Sequence, residues 1–266
     1  MKNKRNRNHD RDHRAPAVCA AFHLVGYCVS CFCCSIRKKY MTMLVGLGMG
    51  VVYMLVDYGV FHLICHSRSI SDEYSLFWVL LWTSMSYGFT NFTWIWLCLS
   101  KDEHLPEWSL LILSWWFCCP LLTQTFVLNA VPIVIQRTTG AYHGYMALIL
   151  FVGYLGAIVY DLRQQQKEQR INLPWLLSIG VLVQFGWEAA LLLGGIRSAG
   201  FATAGEKLHT LVVNSLLETN LGMPYVYGLY IAYSRRFTEQ LGRRAAPLSF
   251  SERIAENNQK QQKKRA

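Results

Sequence analysis

Charge is what this chain has least of. Only 16% of its 266 residues are charged against 53% apolar, and the charges sit in short blocks between long neutral stretches, which leaves no segment able to build a soluble domain with its own core. The neutral stretches are too long for the strands of a membrane barrel and do not alternate as those strands must. Paired cysteines are missing too: nine is an odd number and fits no disulfide framework. Cys28-x-x-Cys31 has no second pair at ribbon spacing to complete a zinc site. No aspartate-rich metal motif occurs either, so the chain lacks the usual means of holding a metal against a diphosphate.

What is present is membrane usage. Runs without charge, or with a single acid, cover Met41–Ser67 (Asp57), Tyr74–Ser100, Trp108–Gln136, Thr138–Tyr160, Ile171–Ile196 (Glu188) and Leu208–Ser234 (Glu218). About 20 helical residues cross ~30 Å of hydrocarbon, and helices satisfy their own backbone groups in lipid. The expected fold is therefore all-α, a polytopic transmembrane helical bundle of six to seven spans. A basic N-terminal tail occupies residues 1–14, the helical domain 15–234 and a basic cytosolic tail 235–266.

The seventh span would be Ala15–Ile36, which also lacks Asp, Glu, Lys and Arg. Counted over six spans, sixteen Lys and Arg fall on one side and four on the other, which places the C-terminus in the cytosol. Spanning by Ala15–Ile36 would move six basic residues across and weaken that bias, and a cleaved signal peptide is a third reading of the segment. The C-terminal tail reads as a solvated anchor beside anionic lipid rather than a nucleic-acid surface. Five cysteines between Cys19 and Cys34 stand just before Arg37, Lys38 and Lys39, where acylation is a more natural fate than metal binding.

Three acids lie inside apolar runs. A carboxylate there costs on the order of 2.5–3.5 kcal/mol, so an intramembrane acid is a functional-site hypothesis by default. Glu188 shares a helix face with Gln184, and Glu218 with Asn214, both at i, i+4. Low-dielectric surroundings disfavour the charged form of any carboxyl, which suits a proton donor. The plainer reading is interhelical glue. Asp57 either joins the same site or pairs with a histidine. His62 and His66, also at i, i+4, lack a third metal ligand and fall at a span end.

Tryptophans form the second signal. Most lie near span ends as an interfacial belt, but Trp94 and Trp187 are deeper, and aromatic faces in a dry pocket stabilise cations. Asn91-Phe92-Thr93-Trp94 echoes Gln184-Phe185-Gly186-Trp187, and each is followed one run later by a mid-span proline, Pro120 or Pro224. A three-plus-three inverted repeat, as in many transporters, would leave such an echo. The sequon at Asn91 is mid-span and unsuited to glycosylation.

These features resemble the fungal integral-membrane terpene cyclases of meroterpenoid and indole-diterpene pathways, small proteins of about seven helices with an Asn-x-x-Trp-Glu type motif. Asn91-Phe92-Thr93-Trp94 is similar to the start of that motif, with Ile95 in place of its glutamate. Gln184-Phe185-Gly186-Trp187-Glu188 keeps Trp-Glu, with Gln for Asn. The resemblance implies seven helices, an endoplasmic-reticulum membrane, and a lipophilic prenylated substrate without cofactor, metal or obligate protein partner. It further implies Glu188 as a catalytic acid, with Glu218 in the role of the second, among binding residues Asn91, Trp94, Gln184 and Trp187; Asp57 and Asn214 join the expected binding set from their own places in the apolar runs. A buried acid would protonate an epoxide or terminal alkene, internal double bonds or a hydroxyl would attack the cation, and a base would remove the last proton. A proton-coupled carrier of a small solute is the competing expectation, and a structural subunit the third.

Overall fold

The computed structural model describes residues 39–70, 75–126, 135–137, 140–164, 172–193 and 203–241. The segment at 15–36 with its cysteines, the tail at 1–14 and the end of the chain beyond Leu241 lie outside the described residues. The protein is mostly helical. Helix α1 (Tyr40–Met54) continues as a π-helix over Leu55–Ile64, and α2 (Leu76–Leu99) and α3 (Leu105–Phe126) follow. After a 3-10 turn at Gly140–Tyr142 come α4 (His143–Leu162), α5 (Leu173–Leu193) and α6 (Ala204–Leu217). A second 3-10 turn, Asn220–Gly222, leads into α7 (Met223–Leu241). Residues up to Pro224 form one compact unit, and Tyr225 onward a second.

Among the described residues three helices are long and apolar enough to cross a membrane: Tyr40–Ile64, His143–Leu162 and Leu173–Leu193. Helix α2 has the length, at 24 residues, but fifteen of them are buried, Ser84, Ser86, Thr90, Asn91 and Thr93 among them. Protein covers this helix, so it does not need the lipophilic surface that a lipid-facing helix presents. Large apolar side chains are exposed along α1, the π-helix that continues it and α4, Leu44, Leu55, Leu63, Leu148, Phe151 and Leu155 among them, and also on α3 and α5, at Leu110 and Leu182.

Two apolar runs depart from a single helix. Helix α3 is described to Phe126, and the end of its run forms a short strand, β2 (Ile135–Arg137), antiparallel to β1 (Arg68–Ile70) with Arg68 opposite Arg137. The all-α expectation therefore misses a three-residue ladder between helices. The last run, expected as one span, breaks after Leu217. Gly222 and Pro224 explain the break: proline has no N–H to continue the i→i−4 ladder and is tolerated in a first turn, so α7 restarts at Met223. That helix also runs past Ser234, where the basic tail was expected to begin, because no breaker intervenes before Gly242.

The packing of α1 on α2 follows from small residues. Gly46 and Gly50 form a Gly-x-x-x-Gly step, and a Cβ on Gly88 would come 2.6 Å from the Gly50 Cα, a backbone approach that only glycine permits. At the far end, α2 closes in a Schellman turn: Lys101 N–H reaches the Cys98 carbonyl and Asp102 N–H the Leu97 carbonyl. Lys101 takes the left-handed position, at φ 50°. The turn brings Asp102 to the Lys39 ammonium at the start of α1, and the His104 N–H donates to Asp102 at 3.0 Å. Burial opposes ionisation of this carboxyl, but the hydrogen bonds from Lys39 and His104 outweigh it and hold its pKa below the ordinary 3.8.

Candidate functional site

Gln184, fully buried on α5, is where the polar interior converges. Its Nε2 donates to Glu188 Oε1 at 3.2 Å, one turn along the same helix, and to Glu218 Oε2 at 2.8 Å, at the end of α6. Its Oε1 accepts from the Tyr87 hydroxyl of α2 and from the Thr219 hydroxyl. One carboxamide thus uses both donors and both lone pairs, and two carboxyls share one nitrogen. Glu188 and Thr219 are buried and Glu218 partly so.

The break after α6 is what delivers Glu218. The residue caps α6 with helical dihedrals, its N–H bonded to the Asn214 carbonyl, and Thr219 follows directly, so one turn presents a carboxyl and a hydroxyl to Gln184 together. Asn220, next in the turn, sits against Gly180 of α5. A Cβ there would stand 2.2 Å from Asn220 Oδ1, so the missing side chain at 180 is what lets the turn approach α5. Asn220 Oδ1 accepts from Tyr154 of α4 at 3.3 Å, and its Nδ2 donates to the Ser215 carbonyl at 3.4 Å.

Aromatic rings wall this cluster. Trp187 makes edge contacts with Tyr87, centroids 5.1 Å apart, and with Trp116 of α3 at 5.6 Å. Trp116 donates to Thr90 at 3.0 Å, which fixes its ring against α2. Tyr53 of α1 lies 4.6 Å from the Tyr87 ring and 5.6 Å from Phe92, with its hydroxyl beside those of Tyr87 and Thr219.

The structure brings together Gln184, Trp187, Glu188 and Glu218. The amide that holds Glu218 is Gln184, across the helix interface, and not Asn214 one turn before it; Asn214 is buried. Trp94 points away, donating to Ser109 of α3 at 2.7 Å. Asn91 is fully buried, and neither its Nδ2 nor its Oδ1 has a hydrogen-bond partner. Asp57 lies in the π-helix and forms a separate buried pair with Arg68, Nε to Oδ1 2.7 Å, with Ser84 donating to Oδ2 at 3.0 Å. Arg68 also stacks over Phe61 at 4.4 Å. Asp57 therefore has an arginine partner rather than a histidine. His62 instead lies against the Arg68 carbonyl at 3.4 Å and the Tyr58 ring. Among the described residues no group of three or more His, Cys, Asp or Glu gathers as a metal site.

Sequence reasoning did not single out Tyr53, Tyr87, Trp116 and Thr219. Helical spacing back from Asn91 reaches Tyr87, and Thr219 follows an acid already noted, but nothing local marks Tyr53 or Trp116. No family model matches the chain, and no curated protein or solved structure proves similar to it.

Proposed function

We propose that this chain is an integral-membrane terpene cyclase acting on a prenylated lipophilic substrate. The observation that carries the reading is the carboxyl pair: Glu188 and Glu218 on the one nitrogen of Gln184, beside Tyr87 and Trp187. One carboxyl enters as the acid and gives its proton to an epoxide oxygen or a terminal alkene carbon. The C–O bond of the epoxide opens, or the alkene takes up the proton, and the carbocation is attacked by an internal double bond or a hydroxyl of the same molecule. The carboxylate of the pair removes the last proton, so the product is an isomer and the pair ends with its proton on the other side of Gln184. Ring faces at Tyr87, Trp187 and Trp116 favour cationic carbon over water.

In this reading six or seven helices span an endoplasmic-reticulum membrane, with the C-terminus cytosolic by the basic-loop count. Neither cofactor nor nucleic acid takes part. A second reading, a proton-coupled carrier of a small solute, draws on one specific feature: an acid stands where the last apolar run breaks, as in the discontinuous helices of transporters.

Expression in a host that makes epoxidised farnesyl-phenol and geranylgeranyl-indole precursors tests the proposal. A new product of unchanged mass, missing from the Glu188→Gln and Glu218→Gln variants at equal expression, is the expected result. Absence of any isomer, together with pH-driven solute uptake into vesicles, would replace the cyclase with the carrier.

A further inference from the structure

A carboxamide turned end over end keeps its shape, so its hydrogen-bond partners decide which end of Gln184 faces the acids. Both carboxyls meet its nitrogen: Nε2 donates to Glu188 Oε1 at 3.2 Å and to Glu218 Oε2 at 2.8 Å. The opposite end meets two hydroxyls, Tyr87 and Thr219, which both donate to Gln184 Oε1. Each hydroxyl has a single proton to give. With those protons spent on Gln184, neither hydroxyl has one left for the other, 2.8 Å away, and the Tyr53 hydroxyl is the donor that reaches the two of them. Donation therefore runs one way. It starts on α1, passes through Tyr87 and Thr219 to the Gln184 oxygen, and leaves the Gln184 nitrogen for both acids.

We propose that Tyr87 and Thr219 are positioning residues of this site: by filling both lone pairs of Gln184 Oε1 they turn its nitrogen toward the two carboxyls and so select the oxygen that gives up the proton. The selected atom is Glu218 Oε1. Glu218 is partly exposed at the end of α6, its Oε2 is held by Gln184, and its Oε1 has no hydrogen bond among the described residues. In the cyclase reading, on which this assignment rests, the O–H bond at Oε1 breaks as a new O–H forms on the epoxide oxygen or a new C–H on the terminal alkene carbon. The electron pair stays on the Glu218 carboxylate, which the Gln184 N–H already faces, so no side chain has to reorient as the charge develops. A reversed Gln184 would set its carbonyl oxygen against that carboxylate and oppose the same step.

The test reads the amide directly, by nuclear magnetic resonance on the full chain in lipid nanodiscs with the glutamine side-chain nitrogen isotopically labelled. The Gln184 amide is the signal lost in Gln184→Leu. The wild type is expected to show one fixed amide, with one N–H proton shifting in Glu188→Gln and the other in Glu218→Gln. Tyr87→Phe with Thr219→Val should split or broaden this signal and uncouple it from the acids. Thr219→Val, which keeps the side-chain shape, should alone give a smaller change of the same kind, and Thr219→Ser, which keeps the hydroxyl, should match the wild type. In conversion of an epoxidised farnesyl-phenol, Tyr87→Phe or Thr219→Val should lower kcat roughly three- to tenfold with KM little changed, while Thr219→Ser retains it. An amide signal untouched by the double variant overturns the proposal, as does a Thr219→Ser protein that behaves like Thr219→Val. An amide that responds as described while no isomer forms upholds the positioning role and refutes the cyclase reading alone.

Discussion

Replacing Gln184 with leucine is the sharpest perturbation of the network. Leucine keeps roughly the volume but withdraws two donors from two acids and one acceptor from two hydroxyls. Tyr87 and Thr219 lie 2.8 Å apart and retain each other, so the loss falls mainly on Glu188 and Glu218. Losing a hydrogen bond to a carboxyl costs about 1–3 kcal/mol, and two such bonds about 2–6 kcal/mol. For a chain of this size 1 kcal/mol moves the melting midpoint by roughly 2–4 °C. Unfolding in nanodiscs should therefore fall by at least about 4 °C, from the lower ends of both ranges. Repeating the change in a Glu188→Gln, Glu218→Gln background closes a cycle, and the cost of losing Gln184 should shrink there because the acids it holds are gone. A drop of under about 1 °C, or an equal cost in both backgrounds, would refute the claim that one amide holds both carboxyls.

Two other features make separate predictions. Asp57→Asn or Arg68→Met alone leaves a buried charge without its counter-ion and should cost about 3–5 kcal/mol, while Asp57→Leu with Arg68→Met should cost much less, both read by thermal unfolding. The Lys39–Asp102 pair is acid-sensitive: the folded carboxyl lies below its unfolded value, so its contribution is fully present above about pH 4 and fades as pH falls through the folded value. Asp102→Asn should melt below the wild type at pH 7 by the equivalent of about 0.2–1 kcal/mol and converge with it in strong acid. A gap that persists unchanged in acid would contradict the assignment.

The sequence exposed the apolar runs and the acids inside them, because a charge in a long neutral stretch stands out without any knowledge of neighbours. It also marked Gln184 beside Glu188, since both lie on one helix face. Partnership across helices was not legible. Asn214 was the nearest amide to Glu218 in sequence, yet Gln184, thirty-four residues away, holds it. Arg68 counted as a loop charge because it directly follows Ser67, the end of its run, and only the turn after the π-helix folds it back onto Asp57. The break at 218–222 was encoded in Gly222 and Pro224, but hydropathy averages over both and returns one span. Helix α2 is not among the three helices apolar enough to span, because its hydroxyls lower its apolar character, and its burial by neighbouring helices appears only in three dimensions.

The most direct measurement is conversion of an epoxidised farnesyl-phenol by the purified chain in nanodiscs, with a chelator and no added nucleotide, for wild type, Glu188→Gln, Glu218→Gln and Trp94→Phe. The account predicts an isomer of unchanged mass from the wild type and from Trp94→Phe, whose ring faces α3, and none from either glutamate variant. Isomer formation that survives both glutamate changes, or a wild type that binds the substrate and returns it unaltered, would contradict the claim that this carboxyl pair is the reacting centre.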